Sequence, residues 1–130
     1  MFKTYLIVMS GGAIGTALRL WLSGFMANRY GETFPVGTIV VNVTGCFVIG
    51  LFSGITSTES AFFVSPLTRQ FVMIGILGGY TTFSSFSLQT LNLLNDGEWF
   101  QATMNILVSV ILAMLAVWLG HMLASLCNQR

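Results

Sequence analysis

Gly78-Gly79-Tyr80-Thr81-Thr82-Phe83-Ser84-Ser85-Phe86-Ser87 is a run in which backbone and side chains together could hold or pass an ion. Two adjacent glycines and two adjacent β-branched threonines make poor continuous helix. The run nevertheless lies inside an apolar segment that otherwise reads as membrane-spanning. Lipid has no water for freed backbone groups, so non-helical backbone survives there only inside protein or beside a water-filled cavity. A helix broken at this depth is therefore a candidate site. The plain alternative is a tolerated glycine kink; the hydroxyls interleaved with Phe83 and Phe86 favour the site. Carbonyls released at the break would point inward, and C-terminal ends of half-helices can hold a monovalent cation such as Na⁺ without any carboxylate.

Other polar residues fall at helical spacings around this run. After the break, Phe83, Phe86, Ser87 and Thr90 stand at i, i+3, i+4 and i+7, one stripe of aromatics and hydroxyls, with Ser84, Ser85 and Gln89 off it. Phe pairs at this spacing are usually core packing, but the positive ring edges can also face a small, partly dehydrated anion. Thr38, Asn42 and Gly45 share a face of an earlier segment. The Asn42 amide can donate to an anion or bond a neighbouring helix, the second being the commoner use. Asn105 and Ser109, one turn apart in the last apolar segment, can complete a polar track, and Leu112 and Ala113 end it. Arg19 is the one charge well inside a span. Burying it centrally costs about 2.5–3.5 kcal/mol; it either snorkels toward the helix end at Asn28 and Arg29 or makes an electropositive vestibule. A cation, hydroxyls, amides and ring edges with no buried acid suit an anion path better than a cation path.

The elements that must position these groups follow from composition. Of 130 residues, 55% are hydrophobic and only 7% charged, with a net charge of +1. Soluble domains carry roughly 25% charged residues, so this is a membrane composition with no signal for nucleic acid or an acidic partner. Four apolar segments meet the length of about 20 residues that a spanning helix needs: 5–27, 36–55, 67–94 with the break at 78–82, and 99–126. The connections are 28–35, 56–66 and 95–98. Pro35 and Pro66 sit at or just before helix starts, and Asn95-Asp96-Gly97 is a tight turn. Lys3 followed by an apolar run superficially resembles a signal peptide, but Arg19 interrupts the run and no cleavage pattern follows, so a retained first helix is expected. The expected fold is all-α, a single membrane domain over 1–130 with no internal repeat.

Charge placement excludes several classes. Glu32, Glu59, Asp96 and Glu98 all lie in connections. Proton-coupled transporters and cation pumps usually carry a membrane-embedded carboxylate. There is no nucleophile–base–acid set, no phosphate-binding loop and no histidine cluster, so no enzyme is expected. Cys46 and Cys127 have no metal or disulfide spacing and read as free thiols. The lone His121 reads as interfacial. Lys3, Arg69 and Arg130 fall on one side of four spans, Arg29 and the nearer Arg19 on the other. That slight bias permits insertion in both directions. Glycines four apart (Gly11 and Gly15, Gly50 and Gly54, Gly75 and Gly79) allow close helix packing within or between chains.

The Gly78–Ser87 run strongly resembles the signature of the Fluc (CrcB) fluoride channels. Gly11-Gly12-Ala13-Ile14-Gly15 with Leu18-Arg19, Gly37-Thr38 with Val41-Asn42, and Asn105 with Ser109 agree in order, so the resemblance covers essentially the whole chain. It implies a passive, fluoride-selective channel that exports fluoride from the cytoplasm. It also implies a multi-pass protein of the bacterial inner membrane, assembled as an antiparallel dual-topology homodimer with two pores and a central structural Na⁺. By motif position, the Na⁺ ligands would be the backbone carbonyls of Gly78 and Thr81. Phe83 and Phe86 would line the pore with Ser87, Asn42 would line the path beside Thr38 and Ser109, and Arg19 would mark the vestibule. Asn105 stands where members vary. Ser85 replaces a common Thr, and Gln89 replaces a frequent Glu, removing a charge. Two rivals from other classes are a small dual-topology proton-coupled drug antiporter and a non-transporting membrane assembly subunit.

Overall fold

The computed structural model describes residues 1–57 and 63–128; Glu59 and Arg130 lie outside the described residues. The regular structure of the described residues is all helical. Helix α1 spans Phe2–Tyr30 and α2 spans Val36–Ile55. The third apolar segment is composite: α3 Pro66–Gln70, a π-helical stretch Phe71–Leu77, α4 Gly78–Tyr80 and α5 Phe83–Asn95. Helix α6 spans Trp99–Asn128. Four helical segments, Phe2–Tyr30, Val36–Ile55, Pro66–Asn95 and Trp99–Asn128, are long and apolar enough to cross a membrane.

The first and last helices run further than apolar length alone indicates. The connection after α1 begins at Gly31 rather than Asn28, because the helix keeps its hydrogen bonds through Asn28-Arg29-Tyr30. It ends where Gly31 takes a positive φ of 80° and its amide bonds Ala27 O at 2.8 Å. At 1.5 Å per residue, α1 and α6 are each about 45 Å long, more than the roughly 30 Å hydrocarbon core, so their ends reach the headgroups or the helices tilt. Helix starts follow local chemistry. Pro66 occupies the first turn of α3 behind Ser65, whose Oγ accepts from the Thr68 amide at 3.2 Å. Asp96-Gly97 turns the chain from α5 to α6, with Gly97 at φ 78° and its amide on Leu94 O.

Packing rests on small residues, as expected where lipid removes the hydrophobic drive between helices. Helix α2 packs along α6. A side chain at Gly50 would meet the Val117 carbonyl, one at Gly120 the Phe47 carbonyl, and one at Gly54 the Ala124 methyl. Helix α1 lies against the π-helical stretch and α4. There Gly11 faces Phe71 O and Gly75 faces Val8 O, each 2.8 Å from where a Cβ would stand, and Gly15 faces Ile76 O. The glycines spaced four apart thus serve contacts within one chain. The π-helical stretch, wider than α-helix, and α4 after it are the parts of the third segment that α1 grips.

Arg69, at the end of α3, closes the other end of α2. Its guanidinium donates to Thr56 O at 2.7 Å and to Ser53 Oγ at 3.3 Å, and Asn128 Nδ2 donates to Gly54 O at 3.0 Å. The Arg69 and Asn128 side chains thus add donors to the Thr56 and Gly54 carbonyls at the end of α2.

Candidate functional site

Thr81 and Thr82 separate α4 from α5. Both have extended backbone, φ −79° and ψ 157° at Thr81, φ −152° and ψ 110° at Thr82. Asn42 of α2, 40 residues away in sequence, holds this pair in place. Its Nδ2 donates to Thr82 O at 3.0 Å and its Oδ1 accepts from the Thr82 amide at 2.7 Å. One side-chain amide thus supplies both bonds that a helical neighbour would have made. Thr82 then caps α5: its Oγ1 accepts from the Ser85 amide at 3.1 Å, and lies 2.9 Å from Ser85 Oγ.

These bonds have a consequence for the carbonyls upstream. In a continuous helix the Thr82 amide would meet Gly78 O and the Ser85 amide would meet Thr81 O. Here the first goes to Asn42 and the second to the Thr82 hydroxyl. Both carbonyls are released from helix bonding by side chains, which suits them to an oxygen-seeking monovalent cation. Gly78 is exposed on the single chain.

Two clefts meet at Thr82. One, of about 290 Å³, is lined by Asn42, Thr81, Thr82, Phe83, Phe86 and Ser109 together with Cys46 and three apolar residues of α6. The other, of about 360 Å³, is lined by Arg19, Ser23, Thr38, Thr82, Ser84, Ser85 and Gln89 with two apolar residues. Among the described residues, no carboxylate lines either. Gln89 Oε1 is buried there without a hydrogen-bond partner among the described residues. A third cleft lined by Thr38 and Gln89 continues past Ser23 and Gly24 to Glu32 and Pro35, between the end of α1 and the start of α2. Arg19 therefore stands within a polar opening and not against bare lipid.

The residues singled out by spacing distribute as follows. Phe83 and Phe86 are neighbours with ring centroids 5.3 Å apart and planes tilted by 45°, but Phe86 is 8% exposed and Phe83 77%. Ser87 is exposed and donates to Phe83 O at 2.9 Å. Thr90 is buried, donating to Phe86 O at 2.8 Å and accepting from Asn105 Nδ2 at 2.9 Å. Ser109 Oγ donates to Asn105 Oδ1 at 3.2 Å. Thr38 and Arg19 share the polar cleft; Asn42 and Ser109 share the cleft of the rings; Asn105, 1% exposed, lies behind Ser109.

Spacing did not single out five lining residues. Ser84, Ser85 and Gln89 stand off the ring stripe, and it is their side of α5 that faces Arg19. Thr82 carries the weaker signal of a residue type favoured at helix N-caps, without the Glu or Gln three residues on that completes a capping box. Nothing in the sequence places Cys46 beside the rings.

Residues 6–121 match the family described as "CrcB-like protein, Camphor Resistance (CrcB)". The chain belongs to that family. It is 56% identical over 120 residues to the "Fluoride-specific ion channel FluC" of Opitutus terrae, covering 92% of this chain and 91% of that one. It is 53% identical over 125 residues to the like-named protein of Methylocella silvestris, covering 96% and 95%. With that of Rhodospirillum rubrum the identity is 49% over 126 residues, covering 97% and 98%. Family membership and four apolar helices of spanning length make this a multi-pass bacterial membrane protein.

Proposed function

We propose that this chain is a passive fluoride-selective channel that lets fluoride leave the cytoplasm. Two clefts meeting at Thr82, one polar beside Arg19, one walled by the Phe83–Phe86 pair, and neither with a carboxylate, carry the reading. The names of the relatives support fluoride as the ion. Fluoride enters beside Arg19, whose charge concentrates anions. It exchanges water for the hydroxyls of Thr38, Ser84 and Ser85, then passes Asn42 toward the ring edges and Ser109. Flux is downhill. At acidic external pH, HF enters, dissociates inside and traps fluoride, and the channel releases it.

The working unit is an antiparallel dual-topology homodimer, and the third membrane helix is read as broken at Thr81–Thr82. Gly78 and Thr44 stay exposed on one chain, and Thr44 Oγ1 lies 2.8 Å from Tyr80 Oη. Such groups are costly against lipid, which supports covering them with a second copy. The released carbonyls of Gly78 and Thr81 would hold a structural Na⁺ at the dimer centre. Bound there, it would offset the dipoles of the released carbonyls.

Purified protein in liposomes, with fluoride and chloride efflux followed by electrode, tests the function. Fluoride efflux without an imposed proton gradient, and chloride efflux near background, are expected. Flux that needs a proton gradient would favour a coupled antiporter, and no flux above protein-free vesicles would leave an assembly subunit.

A further inference from the structure

Asn105 and Val41 are the largest fully buried side chains among the described residues, and Asn105 is the polar one. The direction of its hydrogen bonds is fixed by its neighbours. Thr90 spends its only proton on Phe86 O at 2.8 Å, so toward Asn105 it can only accept, and it does so from Nδ2 at 2.9 Å. The Asn105 amide is thereby oriented with Oδ1 toward Ser109, whose hydroxyl donates to it at 3.2 Å. Ser109 lines the cleft of Phe83 and Phe86, and Asn105 does not. With its single proton committed to Asn105, Ser109 turns lone pairs toward the cleft, the wrong polarity for an anion.

We propose that Asn105 is a positioning residue that holds the Ser109 proton out of the ion path. This inference rests on the fluoride-channel reading above. An anion beside Ser109 can draw the hydroxyl toward itself only by leaving Asn105 Oδ1, 1% exposed, without a donor. Asn105 thus weakens anion binding at Ser109. A conduction site must bind well enough to admit an ion and weakly enough to release it, so the chain Phe86–Thr90–Asn105–Ser109 trades affinity for throughput.

The test is fluoride efflux from liposomes as a function of fluoride concentration, for wild type, Asn105→Leu and Thr90→Val, each also combined with Ser109→Ala. Asn105→Leu removes the acceptor. Thr90→Val unpins the amide so that it can turn its N–H₂ toward Ser109, and it keeps the question open should the Leu variant fold poorly. In both, the half-saturating fluoride concentration is expected to fall about fivefold or more, the size of losing one buried acceptor penalty. Maximal flux should fall as well. With Ser109→Ala in the background, neither variant should shift the half-saturating concentration further. A merely structural role would lower maximal flux and leave the half-saturating concentration alone. A shift below twofold in both variants, with the wild type conducting, would overturn the inference while leaving the channel reading intact. So would a full shift that persists without Ser109. A wild type with no fluoride flux would overturn both.

Discussion

Asn42 makes the two-residue extended segment affordable in a membrane. Thr82 carries an amide and a carbonyl that helix geometry no longer serves, and the Asn42 side chain satisfies both, at 2.7 and 3.0 Å. Asn42→Ala should therefore cost about 2 kcal/mol through two part-buried backbone groups left unpaired. A lowered thermal aggregation midpoint in detergent would report it, and fluoride efflux should drop with it. Asn42→Asp keeps the acceptor for the Thr82 amide but sets a carboxylate oxygen against the Thr82 carbonyl, so at neutral pH its stability should fall at least as far as that of Ala. The rings make a separate prediction. Phe83→Ile and Phe86→Ile should each cut fluoride efflux at least tenfold while the protein keeps its elution volume. Unchanged efflux in both would mean that the 5.3 Å ring pair is packing only. Phe86, the buried member, should also lose stability, whereas Phe83 at 77% exposure should not.

At the scale of elements, helix contact is set by backbone-to-backbone approach. Gly50 and Gly120 bring α2 and α6 together from both sides, each against a carbonyl of the other helix. A carbonyl held in a helix cannot move aside as a flexible side chain can. Gly120→Ala and Gly50→Ala should each destabilise by about 1–3 kcal/mol through forced separation of the helices. Gly24→Ala is the control: it lies in α1 with nothing within 4 Å of a new Cβ, so it should be neutral or more stable by about 0.5–1 kcal/mol. Melting of the three variants side by side checks this; equal effects would show that the glycines act through helix propensity and not contact. The third segment divides its tasks. Its π-helical stretch meets α1, its extended pair is held by α2, and α5 meets α6 through Thr90 and Asn105.

For the whole molecule, the predictions concern assembly. Single-cysteine labelling at a terminus from either side of the membrane, in a variant lacking Cys46 and Cys127, should find both orientations. The described basic residues, Lys3 and Arg69 against Arg19 and Arg29, give little bias, and Arg69 is already committed to Thr56 and Ser53. One uniform orientation would remove the antiparallel dimer. Replacing Na⁺ by a large organic cation throughout purification should lower the melting temperature of the proposed dimer or release monomer. Identical melting in both salts would mean that the Gly78 and Thr81 carbonyls hold no ion of consequence.

Four spans, their order and the absence of any carboxylate within them were determined by the sequence alone. Apolar length and charge are local properties, and a spanning helix needs nothing else to be recognised. The Gly-Gly and Thr-Thr pairs likewise marked where helix is disfavoured, because propensity belongs to the residue. Tertiary structure decided which polar faces meet. A helical stripe has a direction but no partner until helices pack, and in lipid the packing is chosen by small residues scattered over several segments. So Asn42 finding Thr82 across 40 residues, Ser84, Ser85 and Gln89 turning to Arg19, and Asn105 sitting behind Ser109 were not readable from spacing. The same holds for the Gly78–Thr82 run. Its poor helicity was written in its residues, but the amide that takes over its hydrogen bonds came from another helix.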